Sequence, residues 1–156
     1  MIVCLDTNTV IQALAEGHRF HPILDWWIAG RFTWAVSTEV LLEYEEVLTR
    51  LSGPARWRKL ARLMDLAEVT TGSLLRVTPS FRFQIVTSDP DDNIFTDCAV
   101  TAGADCLVTE DRDFAALENA GYKPRPITPG EFIARFITAA PQRAVGSWPE
   151  LHGQRW

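Results

Sequence analysis

The sequence lacks the long apolar segments and the cysteine framework that mark two large classes of protein. No apolar run approaches the ~20 residues that a membrane-spanning helix requires, so we expect no membrane association. The first six residues contain no basic region and no cleavage site, which is not the pattern of a signal peptide. The three cysteines, Cys4, Cys98 and Cys106, are widely spaced and lie in apolar surroundings. They are typical of reduced core residues in a cytoplasmic protein rather than of a disulfide or zinc framework.

The sequence also has little lysine and no excess of basic residues. The net charge is −5, which at first argues against a nucleic acid as partner. Of the 15 basic residues, only Lys59 and Lys123 are lysines. The others are arginines, whose planar guanidinium group matches phosphate better than an ammonium group does. The charge balance alone therefore decides nothing about the partner.

Four short apolar runs predict buried strands, because each is too short for a helix. They are Ile2–Leu5, 32–36, Leu74–Val77 and Cys106–Val108. Helical segments separate these runs, and such alternation predicts a parallel sheet that is covered on both faces. We therefore expect an α/β fold with three layers, α/β/α, and a Rossmann-like parallel sheet of about five strands. At 156 residues the chain fits one domain, over residues 1–140, followed by a tail without periodicity at 141–156.

Capping residues predict where the main helices begin and end. Thr7 or Asn8 can cap a first helix that runs to about residue 15. Ser37 can cap the longest helix, and Gly53 ends it.

Two acidic residues follow predicted strands. Asp6 ends the first strand, and Asp111 comes shortly after the strand Cys106–Val108. In an open parallel sheet, ligands gather outside the carboxyl ends of the strands. Either residue alone could equally cap the helix that follows it, so position by itself does not assign a function.

The helix that begins after Ser37 carries acids at the border of its buried face. At 100° per residue, one ~120° arc holds its apolar residues, which are Val40, Leu41, Tyr44, Val47, Leu48 and Leu51. Glu43 lies ~40° beyond one edge of this arc, and Glu45 lies ~40° beyond the other. A carboxylate at such a border can enter a cleft, but the geometry does not choose between the two.

A further acidic segment precedes a helix near residue 92. If the first turn is helical, Asp92 lies ~20° and Asp97 ~60° from the edges of its apolar stripe. Asp89 and Asp91 are close by in the sequence. Acids at this position also cap a helix and interact favourably with its dipole, which contributes about 0.5–2 kcal/mol. The residues alone leave the choice among these four acids open.

These segments together resemble the PIN domain, in its VapC-like branch of toxin components from toxin–antitoxin pairs. The resemblance rests on four motifs in the right order, Val-Cys-Leu-Asp6-Thr-Asn8, Ser37-Thr-Glu-Val-Leu-Leu-Glu43-Tyr, Asp89-Pro-Asp-Asp92-Asn93 and Leu-Val-Thr109-Glu-Asp111-Arg-Asp113-Phe, and it spans residues 2 to about 137. It implies an acidic quartet of Asp6, Glu43, Asp92 and Asp111. Asn8, Asn93 and Thr109 are then supporting polar residues, and Asp113 substitutes for or supports Asp111.

The resemblance also implies a chemistry and partners. Oxygen ligands without histidine or cysteine suit Mg²⁺ or Mn²⁺ rather than zinc, in one or two sites. We expect a metal-dependent endoribonuclease that acts as a toxin on RNA, forms a homodimer and is held silent by a cognate antitoxin protein. The run Trp26-Trp27-Ile28 and the residue Leu42 are candidate contacts, with core packing as the alternative for both tryptophans.

One segment concentrates basic residues between Arg50 and Arg62. It contains Arg56, Arg58, Lys59 and Arg62, together with Trp57. The segment is either a surface that contacts phosphates or a solvated helix face, and the sequence supports both interpretations equally.

Two rival functions fit parts of the pattern. A phosphatase of the haloacid-dehalogenase type also has an Asp after its first strand, in an Asp-x-Asp pattern. Here the second position is Asn8, which cannot act as the general acid, and neither Lys59 nor Lys123 follows a strand. The other rival is a catalytically silent PIN domain that serves as a binding module, which the complete quartet argues against.

Overall fold

A computed structural model of the protein describes residues 1–139. Within this range, five parallel strands form one sheet in the order β3-β2-β1-β4-β5. The strands are β1 (Ile2–Leu5), β2 (Thr33–Ser37), β3 (Leu74–Val77), β4 (Cys106–Val108) and β5 (Arg125–Ile127). Helices flank the sheet, so the predicted α/β/α fold is confirmed. The candidate tail at 141–156, with Trp148 and Trp156, lies outside the described residues.

The strand order creates a topological switch point between β1 and β4. β1 pairs with β2 on one side, with Val3 opposite Trp34, and with β4 on the other, with Val3 opposite Cys106. After β1, the chain therefore first forms β2 on one side of this strand and later forms β4 on its other side. In parallel sheets, the crevice at such a point opens at the carboxyl ends of the strands. This crevice lies directly after Leu5 and Val108.

The helices follow the strands in the expected alternation. The α-helices are α1 (Thr7–Leu14), α2 (His21–Ile28), α3 (Thr38–Ser52), α4 (Pro54–Thr70), α5 (Asn93–Thr101) and α6 (Pro129–Phe132). In the part of the chain that the structure describes, 3₁₀-helices cover Pro90–Asp92 and Arg112–Asn119, and a π-helical segment at Ile133–Thr138 continues α6. Ser37 caps α3 as predicted, since its hydroxyl accepts the N–H of Val40 at 3.2 Å. Gly53 ends α3 with a φ of 81°, a conformation that favours glycine.

One sequence expectation about these elements was wrong, and one of the five expected strands was not located. Asp6, and neither Thr7 nor Asn8, caps α1, because its Oδ1 accepts the N–H of Thr9 at 2.7 Å. The strand β5 was not located from the sequence. Its central residue, Pro126, has no N–H to donate, and proline is tolerated in strands mainly at a sheet edge, which is where β5 lies.

The core is rich in aromatic side chains packed edge to face. Trp27 and Trp34 are buried, with ring centroids 5.0 Å apart, and Trp27 Nε1 donates to the carbonyl of Ser73 at 2.8 Å. Core packing, the alternative to a partner contact, therefore holds for Trp27. The three cysteines are buried and unpaired, as expected. Among residues 1–139, no helix is both long enough and apolar enough to cross a membrane.

Candidate active site

The switch point brings polar residues from β1 and β4 into contact. Asp6 follows β1, and its backbone N–H donates to the carbonyl of Val108 at 3.1 Å, which continues the pairing of the two strands. Thr109 follows β4 and is 3% exposed, while Asp6 is 5% exposed. The Thr109 hydroxyl donates to Asp6 Oδ2 at 2.5 Å. The two strand ends are therefore joined by a side-chain hydrogen bond that is shielded from solvent.

Asp6 is held by two different partners, one for each carboxylate oxygen. Oδ1 caps α1 through Thr9, and Oδ2 accepts from Thr109. Burial raises the pKa of Asp6, while the hydrogen bonds from Thr109 and Thr9 act in the opposite direction. The negative charge of Asp111 raises this pKa further. The helix-capping interpretation of Asp6 is thus correct, and the charge of Asp111 also acts on this carboxylate.

Thr109 also orders the segment that follows β4. Its oxygen accepts the backbone N–H of Asp111 at 2.9 Å while its proton goes to Asp6. Asp111 in turn caps the 3₁₀-helix Arg112–Asn119, with Oδ1 accepting the N–H of Asp113 at 2.9 Å. This chain of hydrogen bonds fixes Asp111 and Asp113 relative to Asp6.

Three carboxylates converge at the mouth of the crevice. Asp92, Asp111 and Asp113 each offer one oxygen, and the three oxygens lie within 4.8 Å of one another. Asp92 comes from the 3₁₀-helix that precedes α5, whereas the other two follow β4. Asp113 therefore joins Asp111 in the cluster. Asp6 lies close enough for its charge to act on Asp92.

Among the acids of the site, Asp92 has a strongly raised pKa. Its pKa is raised to about 6, first because the carboxyl group is partly buried and then because of the negative charges of Asp89, Asp111, Asp113 and Asp6. Asp92 Oδ2 is buried and has no hydrogen-bond partner among residues 1–139. A buried carboxylate oxygen without a donor costs free energy. A cation at this point would satisfy it.

The loop that carries Asp92 is fastened to α5 by Asn93. The side chain of Asn93 accepts the N–H of Val86 at 3.0 Å and donates to the carbonyl of Val86 at 2.7 Å, as a neighbouring strand would. It also donates to the carbonyl of Pro90 at 3.1 Å. Asp89 caps the short 3₁₀-helix by accepting the N–H of Asp91 at 3.2 Å. Asn93 is therefore a scaffold for the acidic loop.

Glu43 lies on α3, at the flank of the cluster. Partial burial raises its pKa, the charge of Glu46 raises it further, Arg50 lowers it, and Asp91 adds to the increase. The influence of Asp91 places Glu43 near the same acidic loop from the side of α3. Its oxygens are outside the group formed by Asp92, Asp111 and Asp113. Glu45, the alternative at the other border of the helix, is exposed.

The other candidate acids of the loop have different surroundings. Asp89 and Asp91 are exposed. Asp97 is fully buried, and its oxygens accept from the N–H of Phe83 at 2.9 Å and from Arg82 at 3.3 Å. Among the four acids near position 92, the structure brings Asp92 into the carboxylate cluster and Asp97 into an ion pair.

The remaining predicted residues lie at the periphery. Asn8 is exposed in the first turn of α1, one turn from Asp6 at most. Arg58, Lys59 and Arg62 are exposed on α4 and line one open groove of about 700 Å³ together with Leu63 and Leu66. Arg56 is half-buried on the same helix and lines a second groove next to α1.

Sequence reasoning missed the contacts that two side chains, those of Tyr44 and Arg82, make near the site. Tyr44, assigned only to the buried face of α3, donates its hydroxyl to the carbonyl of Leu5 at 2.5 Å, directly before Asp6. Arg82 was not singled out, although it binds both Glu39 and Asp97. These contacts join residues that are 15 to 43 positions apart, so the local periodicity of the sequence could not predict them.

The donor set is compatible with a hard divalent cation. Three carboxylates, two of them exposed and one with a buried unpaired oxygen, supply the oxygen ligands that Mg²⁺ and Mn²⁺ take. Among residues 1–139, the group contains neither a cysteine nor a histidine, and the three cysteines are buried in the core.

Comparison with known proteins is consistent with this geometry. The family model described as PIN domain matches residues 2–113. Eight chains of solved structures also match. One of them is from VapBC2 of Rickettsia felis bound to a DNA fragment from their promoter; it is 15% identical, with a TM-score of 0.54, over 81% of this chain and 99% of that one. Such a likeness shows a shared fold. No curated protein matches the sequence.

Proposed function

The chain belongs to the PIN-domain family, and we propose that it is a Mg²⁺- or Mn²⁺-dependent nuclease that cuts RNA. One observation carries this proposal, the convergence of Asp92, Asp111 and Asp113 with oxygens within 4.8 Å of one another. Like charges at this distance repel each other, and a divalent cation between them removes the repulsion. The unpaired buried oxygen of Asp92 supports the same conclusion.

The roles of the acids follow from their positions. Asp92, Asp111 and Asp113 would hold the ion, and Asp6 and Glu43 would complete the site as ligands or water-positioning groups. The bound metal would supply activation of a water molecule and stabilisation of the leaving oxygen. A carboxylate of the set that the ion leaves free would accept a proton from water.

The chain's other polar groups keep these acids in place. Asp6 cannot rotate freely, because Thr9 and Thr109 occupy its two oxygens. The Thr109 hydroxyl donates its only proton to Asp6, so its role is to orient Asp6 and Asp111. Asn93 holds the loop of Asp92, and Asn8 is free at the surface of the first turn to contact a phosphate oxygen.

A phosphodiester backbone fits the charge distribution better than a small phosphomonoester. Arg58, Lys59 and Arg62 are exposed on α4, on a different element from the acids, and only a substrate with several phosphates would contact both groups. A haloacid-dehalogenase-type phosphatase needs a lysine beside its acids. Lys59 pairs with Glu16 at 3.8 Å and Lys123 with Asp105 at 2.9 Å, so each lysine has a partner outside the acidic cluster.

We further propose that this nuclease is the toxin of a toxin–antitoxin pair. The fold is shared with a chain of VapBC2, which supports an antitoxin as protein partner. Several large apolar side chains remain exposed on the hairpin of α3 and α4, namely Leu42, Leu51, Leu66 and Val69. They are suited to contacts with a second copy of the chain and with a hydrophobic segment of an antitoxin.

A cleavage assay tests the proposal. The purified chain should cut single-stranded RNA with Mg²⁺ or Mn²⁺ and lose this activity in EDTA, while Asp92→Asn should be inactive under all conditions. A phosphomonoester and a DNA strand of the same sequence serve as control substrates. Equal RNA cleavage in EDTA, or hydrolysis of the phosphomonoester alone, would reject the assignment.

A further inference from the structure

Arg82 connects two helices that carry acids of the site. Its guanidinium group donates to both carboxylate oxygens of Glu39 in the first turn of α3, with 2.7 Å between Nη1 and Oε2. Nη1 also donates to Oδ2 of Asp97 on α5, at 3.3 Å. The planar, five-donor group of arginine allows this double contact, which a lysine ammonium would not reproduce in the same geometry. One side chain thus bridges α3 and α5.

Asp97, the partner of Arg82 on α5, lies in an unusual environment for a carboxylate. Asp97 is 0% exposed, and its second oxygen accepts the backbone N–H of Phe83, next to Arg82, at 2.9 Å. An ionised carboxylate in this environment destabilises the fold strongly unless it is paired and hydrogen-bonded. Asp97 therefore holds the segment of residues 82–83 against α5. Removing Arg82 would leave a buried charge with one partner.

The two acids that Arg82 joins lie near acids of the proposed site, Glu39 near Glu43 and Asp97 near Asp92. Glu39 is one helical turn before Glu43, so the two side chains share a face of α3. Asp97 follows Asp92 by five residues, which corresponds to about 7.5 Å along a helix axis. A short helix does not bend over such a distance, so holding one end in place also holds the other. Arg82 therefore adds a polar link between α3 and α5 to the direct packing of the two helices, in which the rings of Tyr44 and Phe95 lie 6.2 Å apart.

Repulsion among the acids is what the bridge counteracts. Glu43 lies on α3, and Asp91 and Asp92 lie on the acidic loop directly before α5, so carboxylates on the two sides of the bridge repel each other. In a metal-free protein this repulsion pushes the acidic loop away from α3. The hydrogen bonds of Arg82 to Glu39 lower the pKa of Glu39, as expected of a charge-assisted contact that favours the ionised form.

We propose that Arg82 and Asp97 are positioning residues of the acidic site, and that the bridge Glu39–Arg82–Asp97 sets the distance between Glu43 on α3 and Asp92 beside α5. This inference rests on the proposed function, because the distance matters only when these carboxylates bind a metal together. Asp97 is then no ligand, although its place in the sequence makes it a candidate for one. Its contribution is to hold Arg82 and Phe83.

The chain provides a matched control for Arg82. Arg76 is also a half-exposed arginine that bridges two carboxylates, with its Nε 3.1 Å from Glu68 and its Nη2 3.3 Å from Asp65. Both partners lie on α4, which carries none of the proposed ligands. Arg76→Met and Arg82→Met each remove an arginine that bridges two carboxylates, and only the second removes the link between α3 and α5.

The measurement is the affinity of the full chain for Mn²⁺, by titration calorimetry, at a temperature where circular dichroism shows all variants folded. Arg82→Met should weaken Mn²⁺ binding about tenfold, the scale seen when groups that orient metal ligands are removed. Arg76→Met should bind like the wild type. Arg82→Lys keeps the charge without the fork and should fall between them. If Arg82→Met does not fold, Glu39→Met serves instead, because it removes both acceptors on α3 and leaves Asp97 paired.

The outcomes separate the positioning role from the proposed function. An unchanged Mn²⁺ affinity in folded Arg82→Met, or an equal loss in Arg76→Met, overturns the positioning role and leaves only a contribution to stability. A wild-type chain that binds no Mn²⁺ overturns the proposed function first. A tenfold loss confined to the bridge variants, with wild-type binding in Arg76→Met, supports the inference.

Discussion

Thr109 donates the proton of its hydroxyl group to Asp6 across the ends of β4 and β1, at 2.5 Å. The residues are 103 positions apart, and both are nearly inaccessible to solvent. The same oxygen accepts the N–H of Asp111 at 2.9 Å. One hydroxyl group thus couples the orientation of a buried acid to that of an exposed acid in the carboxylate cluster.

The first prediction concerns this hydroxyl. Thr109→Val keeps the shape of the side chain but leaves Asp6 Oδ2 without a donor and the N–H of Asp111 without an acceptor. We expect RNA cleavage to fall about 10–100-fold, as for the removal of a group that orients metal ligands. The free energy of unfolding should decrease by about 1–3 kcal/mol, the cost of buried polar groups without partners. Cleavage rates and urea unfolding measure the two effects.

Thr109→Ser is the control for that prediction. It keeps the hydroxyl group, so both hydrogen bonds can form and most of the activity should remain. If the serine variant loses as much activity as the valine variant, packing of the methyl group and not the hydrogen bonds is what Thr109 contributes.

The second prediction concerns the pH dependence of stability. The pKa of Asp92 is raised to about 6, above its usual value of 3.8, so the folded state binds this proton more tightly than the unfolded state does. In EDTA, the charge of Asp92 therefore opposes folding above about pH 6, and this penalty disappears as the pH falls towards 4. As the pH falls from about 6 towards 4, the unfolding temperature of the wild type should therefore rise relative to that of Asp92→Asn.

Metal binding should have the opposite effect on Asp92, because it favours the ionised form of the carboxyl group over the protonated form. A ligand must be deprotonated to bind Mg²⁺ or Mn²⁺, so metal affinity should drop as the pH falls below about 6. Titration of Mn²⁺ at about pH 7 and about pH 5, on either side of this pKa, measures the drop. A stability difference between wild type and Asp92→Asn that stays constant as the pH falls from about 7 to about 4 would contradict the electrostatic account of Asp92.

The third prediction concerns the basic groove on α4. If it contacts phosphates, replacing Arg58, Lys59 and Arg62 by Gln should weaken RNA binding and flatten its dependence on salt. For single-stranded RNA the slope of log affinity against log salt should fall by roughly 0.7 for each phosphate that the variant no longer neutralises. Arg31→Gln is the control, because Arg31 is exposed before β2, at the end of the sheet opposite to the acids. Unchanged slopes in the triple variant would make the groove a solvated face only.

Local sequence signals were enough for the elements that local chemistry determines. The apolar run Ile2–Leu5 forms β1, and Ser37 caps α3, because strand burial and capping depend on neighbours in the chain. The short strand Arg125–Ile127 was missed because its only reason to be extended is pairing with β4, which the sequence does not display. The resemblance to the PIN domain is confirmed by the match over residues 2–113.

The choice of the third acid depends on geometry that periodicity cannot supply. The helical angles of Asp92 and Asp97 assume an α-helical first turn, but Pro90–Asp92 forms a 3₁₀-helix, which rotates about 120° per residue instead of about 100°. The angles given for Asp92 and Asp97 on the condition of an α-helical first turn therefore do not apply to Asp92. The buried pairing of Asp97 with Arg82 comes from a loop between β3 and α5 that has no periodic pattern.

The last prediction separates catalysis from stability at Asp6. Asp6→Asn should abolish cleavage and leave the free energy of unfolding of the metal-free protein nearly unchanged. Asn caps a helix about as well as Asp, so the contact with Thr9 survives. The pKa of Asp6 is raised by burial, which means that its charge opposes folding above that pKa, and the substitution removes this opposition. The weakened contact with Thr109 acts in the other direction.

Mg²⁺ distinguishes this outcome from that of a simple helix cap. A ligand that binds only the folded state stabilises it by mass action, by about 2.7 kcal/mol at a concentration of about 100 times Kd. Thermal unfolding with and without Mg²⁺ should show this gain in the wild type and a much smaller one in Asp6→Asn. If Asp6 only capped α1, the variant would keep both its activity and the full Mg²⁺ effect. That pair of results would remove Asp6 from the metal site, because capping requires only the oxygen that Asn retains.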